Sequence, residues 1–303
     1  MEQYIRRHIQ SGAYLSPAPQ TTSYVNRQGW TDHLIGPHLL YSHRCNSYQR
    51  DSFDDTLHFH PHYELVICMR GNVDYVFGSD LLTPSPVTVV AISPDEPHNT
   101  RLRTDSVYDR HVLLFRPEAF QYAGKIHPLP DFLKNTGRVC FHLHSAHRPR
   151  VTALLQQLEN ALQGPASNPL LAFALTVELL SLLNEAASAA ESEETAVTLP
   201  DKILQIKAYV DEHYATVTSV SDLAARLFYS REYVSRLFRR YYNVSVAGYL
   251  AQYRIRKSLA LLEGGMPVTQ AALAVGFGST SAFISAFKRN MGMLPSAFAK
   301  SKP

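Results

Sequence analysis

VSDLAARLFYSREYVSRLFRR, Val220 to Arg240, is answered 48 positions later by VTQAALAVGFGSTSAFISAFKRN, Val268 to Asn290. Each stretch is an Ala-containing run, a tight break and a Ser-initiated run that ends in Phe followed by two basic residues. One extra residue in the second break brings Phe238, Arg239 and Arg240 onto Phe287, Lys288 and Arg289 at an offset of 49. A repeated unit of this plan predicts two helix-turn-helix motifs. Ser221 and Thr269 are expected to cap the short helices, Ser230 and Ser279 the longer ones. In the longer helix of the first unit, Val234, Leu237 and Phe238 make the inward stripe. Arg231, Glu232, Ser235, Arg236 and Arg239 then point outward, with Arg240 at the basic end. Arginines beside a small polar residue on an exposed helix face have the chemistry that reads base edges in a major groove. The competing reading is a plain helical bundle with solvated arginines, and the duplicated turn argues against it.

Between the units, Val246 to Glu263 reads as one continuous helix, ended by Gly264-Gly265 and barred from continuing by Pro267. At 1.5 Å per residue it is about 27 Å long. Such a connector can hold two recognition helices about one DNA turn apart, roughly 34 Å.

Charge divides at residue 200. Residues 201–303 hold 14 Lys and Arg against 6 Asp and Glu, net +8, whereas residues 1–200 hold 15 against 20, net −5. A basic module is the electrostatic footprint of a nucleic-acid binder. Thirteen of the 14 histidines precede residue 200, so imidazole chemistry belongs to the acidic part.

From Tyr24 to Leu143 the apolar runs are short and β-rich: YELVICM, NVDYVFG, VTVVAI, YDRHVLLF. They recur about every ten residues between Gly, Pro, Asn and Asp, the pattern of an antiparallel sandwich or barrel. Near Val151 the period changes. Val151, Leu154, Leu155, Leu158 and Leu162 recur at helical spacing, Gly164-Pro165 breaks the chain, and Leu170 to Ala187 gives a second apolar helix. The predicted fold class is multidomain, α and β. Residues 1–23 form a loose N-terminus, 24–150 a small antiparallel β-barrel, and 151–190 a helical pair suited to dimerisation or to covering the barrel. Residues 191–200, ESEETAVTLP, form a linker, and 201–303 an all-α domain of two helix-turn-helix units joined by a linker helix. The longest apolar stretch, Pro169 to Leu183, falls short of the ~20 residues a membrane span needs. With no signal-peptide pattern after MEQYIRRHIQ, a cytoplasmic location is expected. Cys45, Cys68 and Cys140, odd in number and far apart, read as reduced and mostly buried.

The densest chemistry lies in LHFHPHYE, Leu57 to Glu64. In a strand, side chains at i and i+2 share a face, so His58, His60, His62 and Glu64 would project to one side. Imidazoles with a carboxylate suit a divalent transition metal, and His98 could join from a neighbouring strand. The alternative is a metal-free site in which these groups bond one another or a small polar ligand. A buried Glu64 requires a partner, and the histidines are the obvious one. No cofactor is expected, with His58, His60, Glu64 and His98 as the metal candidates. Tyr63 and Tyr75 add aromatic faces on which sugar C–H groups can stack. There is no Ser-His-Asp order, P-loop or dinucleotide fingerprint, so no enzyme is expected; the remaining catalytic alternative is metal-dependent.

Residues 201 to 300 resemble the DNA-binding domain of the AraC/XylS family of bacterial transcription regulators. The resemblance is carried by Leu223-Ala224, YVSRLFRR, YL with Arg254, VGF (Val275 to Phe277), FISAFKR and the Met-Leu-Pro tail. It implies base-edge positions at Arg231, Glu232, Ser235 and Arg236 in the first helix and at Thr280, Ser281, Ile284 and Ser285 in the second. Ser285-Ala286 replaces the common arginine before the aliphatic position, and Phe298-Ala299 replaces the usual closing Tyr-Arg. The first unit is therefore expected to carry most base specificity, with Lys288 and Arg289 supplying phosphate contacts. The spacing His58-x-His60-x3-Glu64-x6-Gly71 is similar to the first cupin motif. His98 falls where the second motif has its histidine, although Glu96 stands in place of a glycine. This resemblance implies an effector-binding barrel in which His58, His60, Tyr63, Glu64, Tyr75 and His98 meet a carbohydrate. The family further implies double-stranded DNA as partner and activation beside RNA polymerase, while a homodimer would form through Leu154 to Leu162 and Leu170 to Leu183 unless those helices cover the barrel. Two readings compete: a metal-dependent cupin enzyme fused to a DNA-binding domain, and a non-specific architectural DNA binder that leaves the barrel without a role.

Overall fold

Period-2 alternation over the β-rich runs resolves into two antiparallel sheets with opposite faces committed to different partners. The computed structural model describes residues 21–25, 31–36, 38–50, 55–78, 80–84, 87–122, 125–126, 129–134, 138–163, 167–189 and 196–300. The larger sheet runs, edge to edge, β1 (Thr21–Val25), β2 (Thr31–Ile35), β3 (Leu39–Tyr48), β9 (Ser106–Phe115), β4 (Tyr63–Arg70), β7 (Thr88–Ile92) and β12 (Arg138–His142). The smaller runs β13 (Ala196–Thr198), β6 (Asp80–Leu82), β5 (Val73–Phe77) and β8 (His98–Leu102). A two-residue ladder joins β10 (Gln121–Tyr122) to β11 (Lys125–Ile126). The longest ladder pairs β3 with β9 from Leu39 opposite Phe115 to Tyr48 opposite Ser106.

Leu40, Val66, Val90, Val112 and Leu114 face Tyr75, Phe77 and Leu102 between the sheets, making the barrel core. Their neighbours Tyr41, Leu65, Ile67, Val89 and Leu113 face the other way. There the larger sheet is covered by α2 (Arg148–Leu162) and α3 (Pro169–Ala189), with the single turn α1 (Asp131–Lys134) beside them. Leu154, Leu155, Leu158, Leu179 and Leu183 are buried in this layer, each contributing about 1.5–3 kcal/mol. α2 begins at Arg148, three residues before the periodicity indicates, because Pro149 is accepted in a first turn.

Several expectations are corrected. α3 is 21 residues long, not the shorter stretch expected, and by length and composition could cross a membrane. Its apolarity is accounted for in part by burial on the sheet, while Leu170, Leu171 and Val177 stay exposed. The expected linker 191–200 is not all connector: Ala196–Thr198 is β13, paired antiparallel with β6. Of the expected loose N-terminus, residues 1–20 lie outside the described residues and β1 begins at Thr21. Cys45 is exposed at the far half of β3 rather than buried.

The C-terminal part is helical: α4 (Asp201–His213), α5 (Val220–Arg226), α6 (Arg231–Tyr242), α7 (Val246–Glu263), α8 (Val268–Ala274), α9 (Thr280–Met291) and α10 (Pro295–Lys300). It has two cores. The first gathers Ile203, Leu223, Val234, Phe238, Tyr242 and Tyr249, and the outer face of the smaller sheet joins it through Val76. The second gathers Ile255, Leu259, Ala271, Phe283, Phe287 and Met291. α7 enters both. Arg254 on α7 bonds the carbonyls of Tyr214 and Val217, each at 2.8 Å, and so fixes the turn between α4 and α5. The caps of the short helices differ from expectation. Val220 and Val268 already have helical backbone, so Ser221 and Thr269 fall one residue inside. The caps are Ser219, which accepts from the Asp222 amide, and Pro267, which offers no side chain.

Candidate DNA interface and effector site

α6 is set by its ends. Ser230 accepts the Tyr233 amide at 3.1 Å, and Asn243 closes the helix in the left-handed region. Val234, Phe238 and Tyr242 are buried, whereas the expected Leu237 is only half-buried. Tyr242 fills the place one turn beyond Phe238, which the repeat alone did not single out. Arg231, Glu232, Arg236, Arg239 and Arg240 are exposed and Ser235 is half-buried. The Arg236 guanidinium lies 5.5 Å from the Tyr233 ring and that of Arg240 5.6 Å from Tyr241, so both are partly held in place.

α9 repeats the design. Ser279 caps it through the Ala282 amide, 3.2 Å, and Gly292 closes it with φ 71°. Phe283, Ala286, Phe287 and Met291 are buried; Ser281, Ser285, Lys288 and Arg289 are exposed, with Thr280 and Ile284 half-buried. Ser285 corresponds in the repeat to Arg236.

The histidine segment is not the strand expected. Strand β4 starts only at Tyr63; before it, Pro61 and His62 make a bend. His58 is held by a two-way backbone bridge to His98, 2.9 and 2.8 Å. Nε2 of His60 and of His98 bond Glu64 Oε2 at 2.8 and 3.1 Å, and the His58 and His98 ring centres are 4.3 Å apart. The ligand atoms of His58, His60, Glu64 and His98 all lie within 4.8 Å of one another. Two expected members are elsewhere. His62 is turned by the bend so that its Nε2 accepts from Arg116 at 3.2 Å. Tyr63, one position before Glu64, takes the opposite strand face and stacks on Phe115 at 5.6 Å under the helices. Tyr75 is buried in the barrel core, its hydroxyl 2.5 Å from that of Tyr108.

Burial pushes the Glu64 carboxyl up, but the bonds from His60 and His98 outweigh it and hold the group well below the usual carboxylate range. Burial likewise opposes a charged His98, yet its bond to Glu64 raises it to about 9. The cluster is thus an ion pair with two further imidazoles against it. Its donor set and spacing fit a divalent cation, and equally fit a ligand rich in hydroxyls.

Sequence reasoning missed two groups. Arg44 and Arg110 are buried in the barrel, Arg110 3.9 Å above the Tyr108 ring and Arg44 bonded to Ser42 at 3.1 Å and 3.5 Å from Asp32. The signal was present: in YDRHVLLF, Arg110 alternates in step with Val112 and Leu114. The second group lies under α2. His43 is held by Asp109 at 2.8 Å and by Glu159 of α2 at 2.5 Å, and stacks on His111 at 4.1 Å. Bonds to the two carboxylates lift His43 to about 9, while burial and the His43 charge lower His111 to about 4. This strap fastens α2 to the sheet.

Comparison with known families matches both parts. The AraC-like ligand binding domain covers residues 43–183 and a helix-turn-helix domain covers residues 223–301. The chain belongs to the AraC family. It is a DNA-binding transcription regulator with a ligand-binding domain. Relatives of this AraC-family chain include the Msm operon regulatory protein of Streptococcus mutans, 29% identical over 163 residues, 53% of this chain and 59% of that protein. The transcriptional activator RhaS of an Enterobacter species is 26% identical over 241 residues, 78% of this chain and 85% of RhaS. The arabinose operon regulatory protein of Escherichia coli is 27% identical over 217 residues, 70% of this chain and 72% of that protein. Among solved structures, ToxT of Vibrio cholerae is 13% identical with a TM-score of 0.35, covering 86% of this chain and 97% of that one.

Proposed function

We propose that this AraC-family chain is a cytoplasmic transcription activator whose effector is a sugar or sugar acid held by His58, His60, Glu64 and His98, with Tyr75 in the same barrel core. The observation that carries the reading is the buried imidazole and carboxylate cluster, four side chains converging within 4.8 Å at the edge of a barrel core. Carboxylate and imidazole groups fix hydroxyls. Arg44 and Arg110, buried nearby with Asp32 as the acid paired to Arg44, favour a sugar acid within that class. That one relative is a transcriptional activator and another regulates an arabinose operon supports both halves of the reading.

On the DNA side, Arg231, Glu232, Ser235 and Arg236 read base edges, and Thr280, Ser281, Ile284 and Ser285 face the second groove. Arg239, Arg240, Lys288 and Arg289 hold phosphates. A second copy docks through the exposed Leu170, Leu171 and Val177 of α3, and RNA polymerase is met beside the promoter. Effector and DNA are then coupled, so each tightens the other by the same factor.

The test is a thermal-shift screen of the full chain against sugars, sugar acids and divalent metals, with and without chelator. A ligand at 100 times its Kd stabilises the fold by about 2.7 kcal/mol, a shift of a few degrees. A chelator-insensitive shift with a sugar or sugar acid supports the proposal. A shift with metal alone assigns His58, His60, Glu64 and His98 to an ion and overturns the carbohydrate reading.

A further inference from the structure

Leu57, His58, Phe59 and His60 lie just ahead of the Pro61–His62 bend that precedes β4, and alternate side chains leave the segment in opposite directions. His58 and His60 turn to Glu64 and His98. Leu57 and Phe59 turn to the DNA-binding domain, and each enters a different core. Leu57 is buried in that of the first helix-turn-helix unit, among Val234, Phe238 and Tyr242. Phe59 is buried in that of the second, among Ile255, Leu259 and Phe283. Two residues of the barrel, about 7 Å apart along an extended chain, therefore belong to both DNA-reading units at once.

Backbone bonds hold this junction. The Leu57 amide donates to the Tyr242 carbonyl at the end of α6, 3.1 Å, and the Tyr242 hydroxyl donates to the Gly78 carbonyl, 2.8 Å. The Asp95 amide donates to the His60 carbonyl at 2.8 Å, while the Asp95 carbonyl accepts from Arg256 of α7 at 3.4 Å. Arg231, Glu232 and Arg236 of α6 and Ser281 and Ser285 of α9 remain exposed with this junction formed, so the contact does not cover them.

Within the helical domain the two units pack on α7, and they also meet where Gly276 closes on the Ala215 carbonyl and Tyr214 borders the second core. Leu57 and Phe59 add a third contact, made to both cores from the neighbouring domain. We propose that Leu57 and Phe59, though they belong to the effector-binding domain, are positioning residues for DNA recognition. They fix the relative placement of α6 and α9 and so set the half-site spacing that the chain reads. The inference rests on the assignment of α6 and α9 as the two recognition helices. Because His58 and His60 alternate with them on one short segment, a ligand bound to those imidazoles acts on the same contact.

The test is selection of duplexes from a random DNA library by the full chain, as wild type, Phe59→Ala, Leu57→Ala and Phe59→Leu. Wild type is expected to enrich two half-sites at one fixed spacing, about one helical turn. Phe59→Ala should enrich the same two half-sites with the spacing spread over neighbouring base-pair steps, since a shift of about 3.4 Å moves α9 by one step. Leu57→Ala should do likewise, and Phe59→Leu, which refills the core, should restore the single spacing. A merely structural role lowers the active fraction and leaves the spacing distribution unchanged. A single unaltered spacing in Phe59→Ala overturns the inference while leaving the recognition helices as assigned; where that variant does not fold, Leu57→Ala decides in the same way. A wild-type chain that enriches one half-site or none overturns the assignment of the two helices, and the inference with it.

Discussion

The two helix-turn-helix units share a plan and differ at the same two places. At the tight turn the first unit has Phe228 and the second Gly276, both in the left-handed region with φ of 58° and 89°. Phe228 is 96% exposed, so nothing but backbone strain opposes a side chain there. A Cβ on Gly276 would run into the Ala215 carbonyl. On the recognition face the first unit presents Arg236 where the second presents Ser285. The duplicated frame keeps the serine caps of its longer helices, Ser230 and Ser279, and the buried Phe238 and Phe287, while turn and reading face have diverged with what lies against them. Internal packing thus sets the frame of each unit, and its surroundings set the turn and the reading face.

Six substitutions test this contrast. The largest effect is expected from Gly276→Ala. It should lose about 2–4 kcal/mol in denaturant midpoint, the sum of left-handed strain and a backbone collision. Phe228→Ala, in open space, should change stability by less than about 0.5 kcal/mol. Equal losses at the two turns would erase the contrast. Next comes Arg236→Ala, which should cost about 1–3 kcal/mol on the cognate duplex and relax one base position. Ser285→Ala at the matching position should cost less. Binding titrations on cognate and random DNA decide this, and equal losses on both for Arg236→Ala would remove it from base reading. Lys288→Ala should weaken all sequences alike and lower the slope of log affinity against log salt by about 1. A sequence-selective loss there would move α9 from phosphate holding to base reading. A small gain is expected from Phe228→Gly. Relief of left-handed strain exceeds the entropy glycine brings to the unfolded chain, for a gain of about 0.5 kcal/mol in thermal unfolding. A loss would show that Phe228 is held by packing in this turn.

Much of this was legible in the residues. The duplication, the connecting helix Val246 to Glu263, the capping serines Ser230 and Ser279 and the two-sheet domain all follow from period and turn chemistry, which act over a few residues. The chemistry of the effector cluster was legible too, but its membership was not. Alternation from His58 to Glu64 holds only for a continuous strand, and the bend at Pro61 and His62 resets the phase, sending His62 to Arg116 and Tyr63 beneath the helices. Leu57 and Phe59 read as apolar neighbours of histidines. Their destination depends on pairings with residues nearly two hundred positions away, beyond the reach of any local pattern. The pairing of Arg44 depends instead on the neighbouring strand, twelve positions back, where its acid partner Asp32 sits. β13 is three residues long, too short to show a period.

That short strand has a practical consequence. β13 is the outermost member of the smaller sheet and is supplied by the stretch that leads into the DNA-binding domain. A fragment cut before Ala196 would leave β6 as a bare edge, a row of amides and carbonyls ready to join another copy. A fragment carried through Thr198 takes its own seal with it. The isolated barrel should therefore stay dispersed or aggregate according to whether these three residues are kept.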